Sequence, residues 1–236
     1  MSRLLFIKEG VAVWSSHLDL MRALMRSFRR AGIDLKHSQG FTPHPELSIL
    51  MPLSVGVESQ CEIAEFSLAE GCDVPVGEIA VRMAPVLPAG IRALESYEDG
   101  QKTGKLAWLR ARLELTYDGS GVGETDSSAP LRSAQNDRIE ALRTLFARPS
   151  LTVQKHSKKG DVEMDIAPMI REIQVGTGTA CPPSAVVLEA VVAAQNPTLN
   201  PLLLVTAMEK YLPECKPDHV VCRRLEIYDA EMNVFR

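Results

Sequence analysis

His17 and His44 bracket a run of cations, with Arg22, Arg26, Arg29, Arg30 and Lys36 between them and Asp34 close to Lys36. An imidazole beside fixed positive charge suits phosphodiester chemistry without a metal. The cations hold the phosphate, and a histidine can act as base on a 2′-hydroxyl while a cation stabilises the phosphorane. Arg22, Arg26 and Arg29 are four and three residues apart, so on a helix they share one face, with Arg30 at its border. No acid relieves their mutual repulsion from Arg22 to Arg30. A bound anion would relieve it, each phosphate contact adding salt-dependent affinity; a solvated charged face is the competing reading.

Beyond the cations runs GFTPHP, residues 40–45. Gly40 permits a sharp turn, and Pro43 and Pro45 restrict Thr42 and His44 to extended backbone. A stiff strip loses little entropy on binding. Phe41 either stacks on a nucleobase or anchors the strip to the core. His44 is either a functional imidazole or a surface turn residue. His17 and Asp19 fall in a first helical turn, where His17 either serves proton transfer or RNA contact, or packs as part of the cap. A second basic cluster, Lys155, His156, Lys158 and Lys159, surrounds Gly160 in a hairpin pattern. It reads as a phosphate clamp or as lysines that guard a strand edge. Asp165 and Arg171 are expected to pair at the hairpin base.

The elements that would position these residues follow from periodicity. RLLFIKEGVAVW reads as an edge strand and turn, and Ser16 to Asp19 as a capping box opening a helix. Leu18, Met21, Met25 and Phe28 form the expected buried stripe of that helix, and Gly32 its stop. Two strands (LSILMPLSV and CEIAEFSLA), a helix over about 76–86 and a strand at IRALESY complete one βαββαβ unit. A polar linker precedes a second copy: a strand in AWLRARLELTY, a helix in NDRIEALRTLFAR carrying Ile139, Leu142 and Leu145, the hairpin, a strand at AVVLEAVVAA, a helix from Pro201 and a closing strand at VVCRRLEIYD. The expected class is α+β, two tandem ferredoxin-like halves with antiparallel sheets, over residues 1–100 and 101–236. Residues 118–137, rich in Gly, Ser and Asp, are expected to be a mobile loop.

Composition narrows the chemistry. The 236 residues are 45% hydrophobic and 24% charged, enough for a sizeable core, and the net charge of −4 gives no global nucleic-acid signature. No run of about 18 apolar residues offers a membrane span. Only four apolar residues precede Lys8 and Glu9, too few for a signal peptide's apolar region, so a cytoplasmic location is expected. The five cysteines are scattered without a CxxC pair, and His17, His37 and His44 match no zinc spacing. No phosphate-loop, dinucleotide or nucleophile-elbow motif is present. Neither a cofactor nor a metal is expected.

SHLDLMRALMRSFRRAGIDLKHSQGFTPHPELSILMPLSVGVES resembles the opening signature of the radical-SAM-associated domain family, KKGDVEMDIAPMI its second, and the Asn200–Pro201 region a third. That family occurs alone and fused behind cobalamin-binding-type radical SAM proteins, and its genomic neighbours include a ribonuclease of the E/G type. The resemblance implies a stand-alone accessory protein, RNA-binding or substrate-presenting, that serves a radical SAM enzyme supplied in trans. Its expected nucleic-acid contacts are Arg22, Arg26, Arg29, Arg30, Lys36, Phe41, Lys155, Lys158 and Lys159. Two alternatives stand beside it: a metal-independent endoribonuclease with His17 or His44 as catalytic base, and a scaffold that binds only protein.

Overall fold

The computed structural model describes residues 1–98, 101–117, 128–157, 160–178 and 185–236, leaving out the side chains of 128–133 and 156–157. The chain is α+β, with four α-helices among the described residues and a mostly antiparallel sheet. It divides into two compact units, residues 1–106 with 224–236, and residues 107–223. The expected division at 100/101 placed the closing strand wholly in the second half. Here the last thirteen residues return to the first unit, where Phe235 packs under Arg3 and the Arg236 amide donates to Gln101.

The first unit contains β1 (Ser2–Lys8), α1 (His17–Arg30), β2 (Leu47–Ile49), β3 (Val57–Phe66), α2 (Ile79–Met83) and β4 (Ile91–Glu98). Its strands run in the order β4-β1-β3, with β2 and part of β10 (His219–Asp229) also on β3. Strand β1 is therefore central, not the edge strand expected from its Lys8–Glu9 end. Gly10–Trp14 form a 3-10 turn, and Lys8 is buried, its Nζ donating to the carbonyls of Val13 and Ser15 at 3.2 Å each.

Helix α1 begins as its sequence requires. Ser16 Oγ accepts from the Asp19 amide at 3.2 Å and donates to the Asp19 carboxylate at 2.7 Å, which holds that carboxyl below the usual range. The buried stripe is Leu20, Leu24, Ser27 and Phe28, whereas Leu18 is exposed and Met21 and Met25 are half-buried at its margin. The expected stripe is thus rotated toward the helix flank, because a 3.6-residue period admits both sets and only the sheet beneath decides between them. Phe28 meets Phe66 of β3 with ring centroids 5.0 Å apart, joining the helix to the core of Leu4, Phe6, Ala64 and Ile79.

The opposite face of this sheet is also covered. Arg3, fully buried, pairs with Glu65 at 2.7 Å and lies 4.9 Å over the ring of Phe235 from the chain end. Arg236 grips Glu226 through two bonds of 2.7 Å.

The second unit contains β5 (Leu106–Thr116), α3 (Ser128–Phe146), a separate two-stranded sheet of β6 (Thr152–Ser157) and β7 (Gly160–Asp165), β8 (Ile170–Thr177), β9 (Val186–Ala193) and α4 (Leu203–Tyr211). Its sheet runs β10-β5-β9-β8, with residues 219–223 of β10 in this unit. Ile139, Leu142 and Leu145 are buried as their spacing predicts. Of the segment expected to be a mobile loop, 118–127 lies outside the described residues and 128–137 is the first half of α3. The hairpin base is fixed by Asp165, but not through Arg171. The Asp165 carboxylate accepts from the amides of Leu151 at 2.7 Å and Ala167 at 3.1 Å, while Arg171 lies 5.2 Å over the ring of Trp108.

Candidate anion-binding groove

The C-terminal half of α1 and the segment after it build a groove of about 420 Å³. Its geometry starts at the helix stop. Gly32, at φ +70°, donates to the Arg29 carbonyl at 3.2 Å, and Ile33 donates to the Phe28 carbonyl at 3.0 Å. That is the Schellman pairing, which needs a left-handed residue after the cap and brings the next apolar side chain back onto the helix. Ile33 accordingly joins Phe28 and Leu35 as a buried apolar floor.

The segment then runs back alongside the sheet. Lys36 donates to the Ser67 carbonyl at 2.8 Å, Ala69 to the Asp34 carbonyl at 2.9 Å, and Glu46 to the Lys36 carbonyl at 2.7 Å. Arg26 and Arg29 stand on the helix wall, His37 and Pro45 on the other, and Asp34 is the acid among them. Arg26, Arg29 and Arg30 are exposed and have no ion pair among the described residues. Arg29 and Arg30 occupy the last turn, where the helix dipole favours cations, whereas Arg26 lies a turn earlier.

The remaining residues singled out from the sequence fall elsewhere. Arg22 pairs with Asp19 at 3.3 Å and Lys36 reaches Glu46 at 3.8 Å, both on the surface, where such pairs contribute little. His17 opens α1, nine residues before Arg26 and so about 13 Å along the axis from it. Its Nδ1 is enclosed without a hydrogen-bond partner.

His44 braces a loop. Its Nδ1 lies 2.9 Å from Ser38 Oγ, its amide donates to the same oxygen at 3.2 Å, and its carbonyl accepts from the Ser38 amide at 2.9 Å. Its ring thus has a positioning task within the strip. Phe41, at the tip of this loop, is fully exposed and anchors nothing. In the second unit Lys155 is exposed on β6 opposite Val162, and His156 stands opposite Asp161, while Lys158 and Lys159 lie outside the described residues.

His37 is the groove residue that the sequence reading passed over. It stands seven residues beyond the end of α1, where helical spacing no longer applies, and pairs with Pro45 in a bridge that lines the groove. Two guanidinium groups, an imidazole and an apolar floor can hold an anion that carries a flat apolar group. No group of His, Cys, Asp and Glu able to hold a metal occurs among the described residues.

Fold and groove together define an α+β protein of two units with a candidate anion-binding site on the first. The chain belongs to the DUF2344 family, described as an uncharacterized protein conserved in bacteria, whose profile matches residues 2–201. No curated protein matches the sequence. None of the described helices is long and apolar enough to cross a membrane.

Proposed function

We propose that this protein is an RNA-binding or substrate-presenting accessory protein, cytoplasmic, working with a radical SAM enzyme supplied in trans, and that each unit is a ferredoxin-like half. The strand orders β4-β1-β3-β2 and β10-β5-β9-β8 support the architectural part. The radical SAM partnership rests on the sequence resemblance alone, in the 16–59 stretch, KKGDVEMDIAPMI and the Asn200–Pro201 region. The observation that carries the binding part is the groove, where Arg26 and Arg29, unpaired among the described residues, face His37 above buried Phe28, Ile33 and Leu35. Two like charges three residues apart repel one another, and a phosphodiester between them turns that cost into attraction.

The covered sheet also bears on the mode of binding. Many small α+β RNA binders stack bases on an open sheet face, but in the first unit Arg3, Glu65 and Phe235 fill that side. The helix-side groove is therefore where RNA is proposed to lie.

Filter retention of labelled cellular RNA on the full chain tests the proposal. Arg26→Ala with Arg29→Ala should lower retention strongly and flatten the dependence of affinity on salt, on the order of 0.7 in logarithmic slope for each lost phosphate contact. The melting temperature should hardly change, since both side chains are exposed. Retention and salt slope equal to wild type would reject the groove. Cutting of the RNA in the presence of chelator would replace binding by the ribonuclease reading, with His37 as the base to mutate first.

A further inference from the structure

Residues 37–45 form a closed loop. The bridge between His37 and Pro45 pins its base, and the paired contacts of Ser38 with His44 lock the first turn above it. At the tip stands Phe41, exposed over its whole side chain. A large aromatic held fully in water on a braced loop gives up burial that folding normally takes, and rigidity removes the entropy loss that would otherwise oppose its use in binding. The loop is joined to the groove at both ends, through His37 and Pro45, which line it. Four residues of chain reach at most about 14 Å, so the ring stays near the groove mouth.

We infer that Phe41 is a base-stacking finger and that the site takes an unpaired nucleotide, its phosphate between Arg26 and Arg29 and a neighbouring base on the Phe41 ring. This inference rests on the RNA-binding reading and specifies its substrate as single-stranded. A duplex offers phosphates but keeps its base faces stacked, so neither the aromatic tip nor the apolar floor of Phe28, Ile33 and Leu35 could engage it. A protein partner would meet the ring equally well. The unpaired arginines near the root of the loop favour a polyanion, and within 38–44 Pro43 alone adds apolar surface beside the ring, short of the apolar surround found at protein hot spots.

Fluorescence anisotropy on the full chain decides the matter, with a labelled single-stranded RNA, the same strand in a duplex, and inorganic polyphosphate as competitor. Single-stranded RNA should bind at least tenfold more tightly than duplex. Phe41→Ala should lose at least tenfold for the single strand and leave polyphosphate competition unchanged, while Phe41→Trp should retain affinity and be quenched by bound RNA. Unchanged single-strand affinity in Phe41→Ala, or equal affinity for duplex and single strand, overturns the inference while leaving RNA binding intact. Wild-type affinity in the Arg26→Ala, Arg29→Ala variant, or no RNA binding by the wild type, overturns the underlying reading as well. Phe41 touches no core residue, so matching melting temperatures are expected and would separate lost binding from lost fold.

Discussion

Arg3 is a charge of a type usually left at the surface that has become part of the core. Its guanidinium is fully buried, donating to Glu65 at 3.1 and 2.7 Å and to the Gln101 carbonyl at 3.1 Å, while Thr103 Oγ1 donates to the same carboxylate oxygen at 3.2 Å. Arg224 repeats the device, donating to Glu62 at 3.2 Å and to the carbonyls of Met51 and Pro52. Bringing two charges out of water costs nearly what their attraction returns, so neither pair is a large net source of stability; breaking one is another matter. Arg3→Met should leave Glu65 enclosed without its cation and destabilise by about 3–5 kcal/mol. Arg3→Met combined with Glu65→Leu should recover most of that loss. Urea unfolding of the two single variants and the double variant measures the coupling, and additive losses would show that the pair is not a unit. No periodicity could have revealed Arg3, because an arginine is ordinarily solvated. Its burial depends on Phe235, more than two hundred residues away.

Elements were legible where local chemistry decides them and illegible where a distant neighbour does. The cap at Ser16, the stop at Gly32 and the buried face of α3 are local, and each stands where residue types and spacing place it. The position of β1 within its sheet is not local. The Lys8–Glu9 end reads as the close of an edge strand, yet Lys8 is buried because the 3-10 turn folds back to present two carbonyls. The groove shows the same split: Arg26 and Arg29 were evident from helical spacing, while His37 needed a turn, a bridge and a return strand. The β6–β7 hairpin joins both cases, since its existence was local and its anchoring was not. Asp165 accepts two amides at its base, and the Leu151 bond is the chief reason its carboxyl lies below the usual range. Because the folded value is the lower one, this contribution is present above the ordinary 3.8 and is lost as pH falls through the folded value. Asp165→Ala should strand the amide of buried Leu151, cost about 1–3 kcal/mol, and speed hydrogen exchange in β6 and β7 ahead of the rest of the second unit. Unchanged hairpin protection would mean that Lys210 and Tyr211, which both donate to the Thr152 carbonyl, suffice to hold it.

At the scale of the whole molecule, acidic groups buried in each unit set the response to alkali, Cys61 and Tyr117 being shifted furthest among the described residues and Cys215 raised beside Tyr117. Burial pushes the Cys61 thiol in the first unit from its ordinary 9.0 up to about 12, and the Tyr117 hydroxyl in the second from 10.0 up to about 12. Each keeps its proton in the fold after the unfolded chain has lost it, so the unfolded state binds fewer protons and stability falls as pH rises through that interval. For Cys61 the loss accumulates to the order of 4 kcal/mol by pH 12. Lys8 works in the opposite sense. Burial, partly offset by Glu62, lowers it from 10.5, so between its folded value and 10.5 the unfolded chain holds the extra proton and stability gains with pH. The gain ends at 10.5, after which nothing from Lys8 opposes the two acids. Urea midpoints measured from pH 8 to 12 should therefore fall slowly at first and most steeply above 10.5. Cys61→Ala should lower the whole curve, because it leaves a cavity in a packed core, yet flatten its alkaline limb. It is the slope and not the level that carries the argument, and a variant curve parallel to wild type would show that the Cys61 proton plays no part in holding the first unit together at high pH.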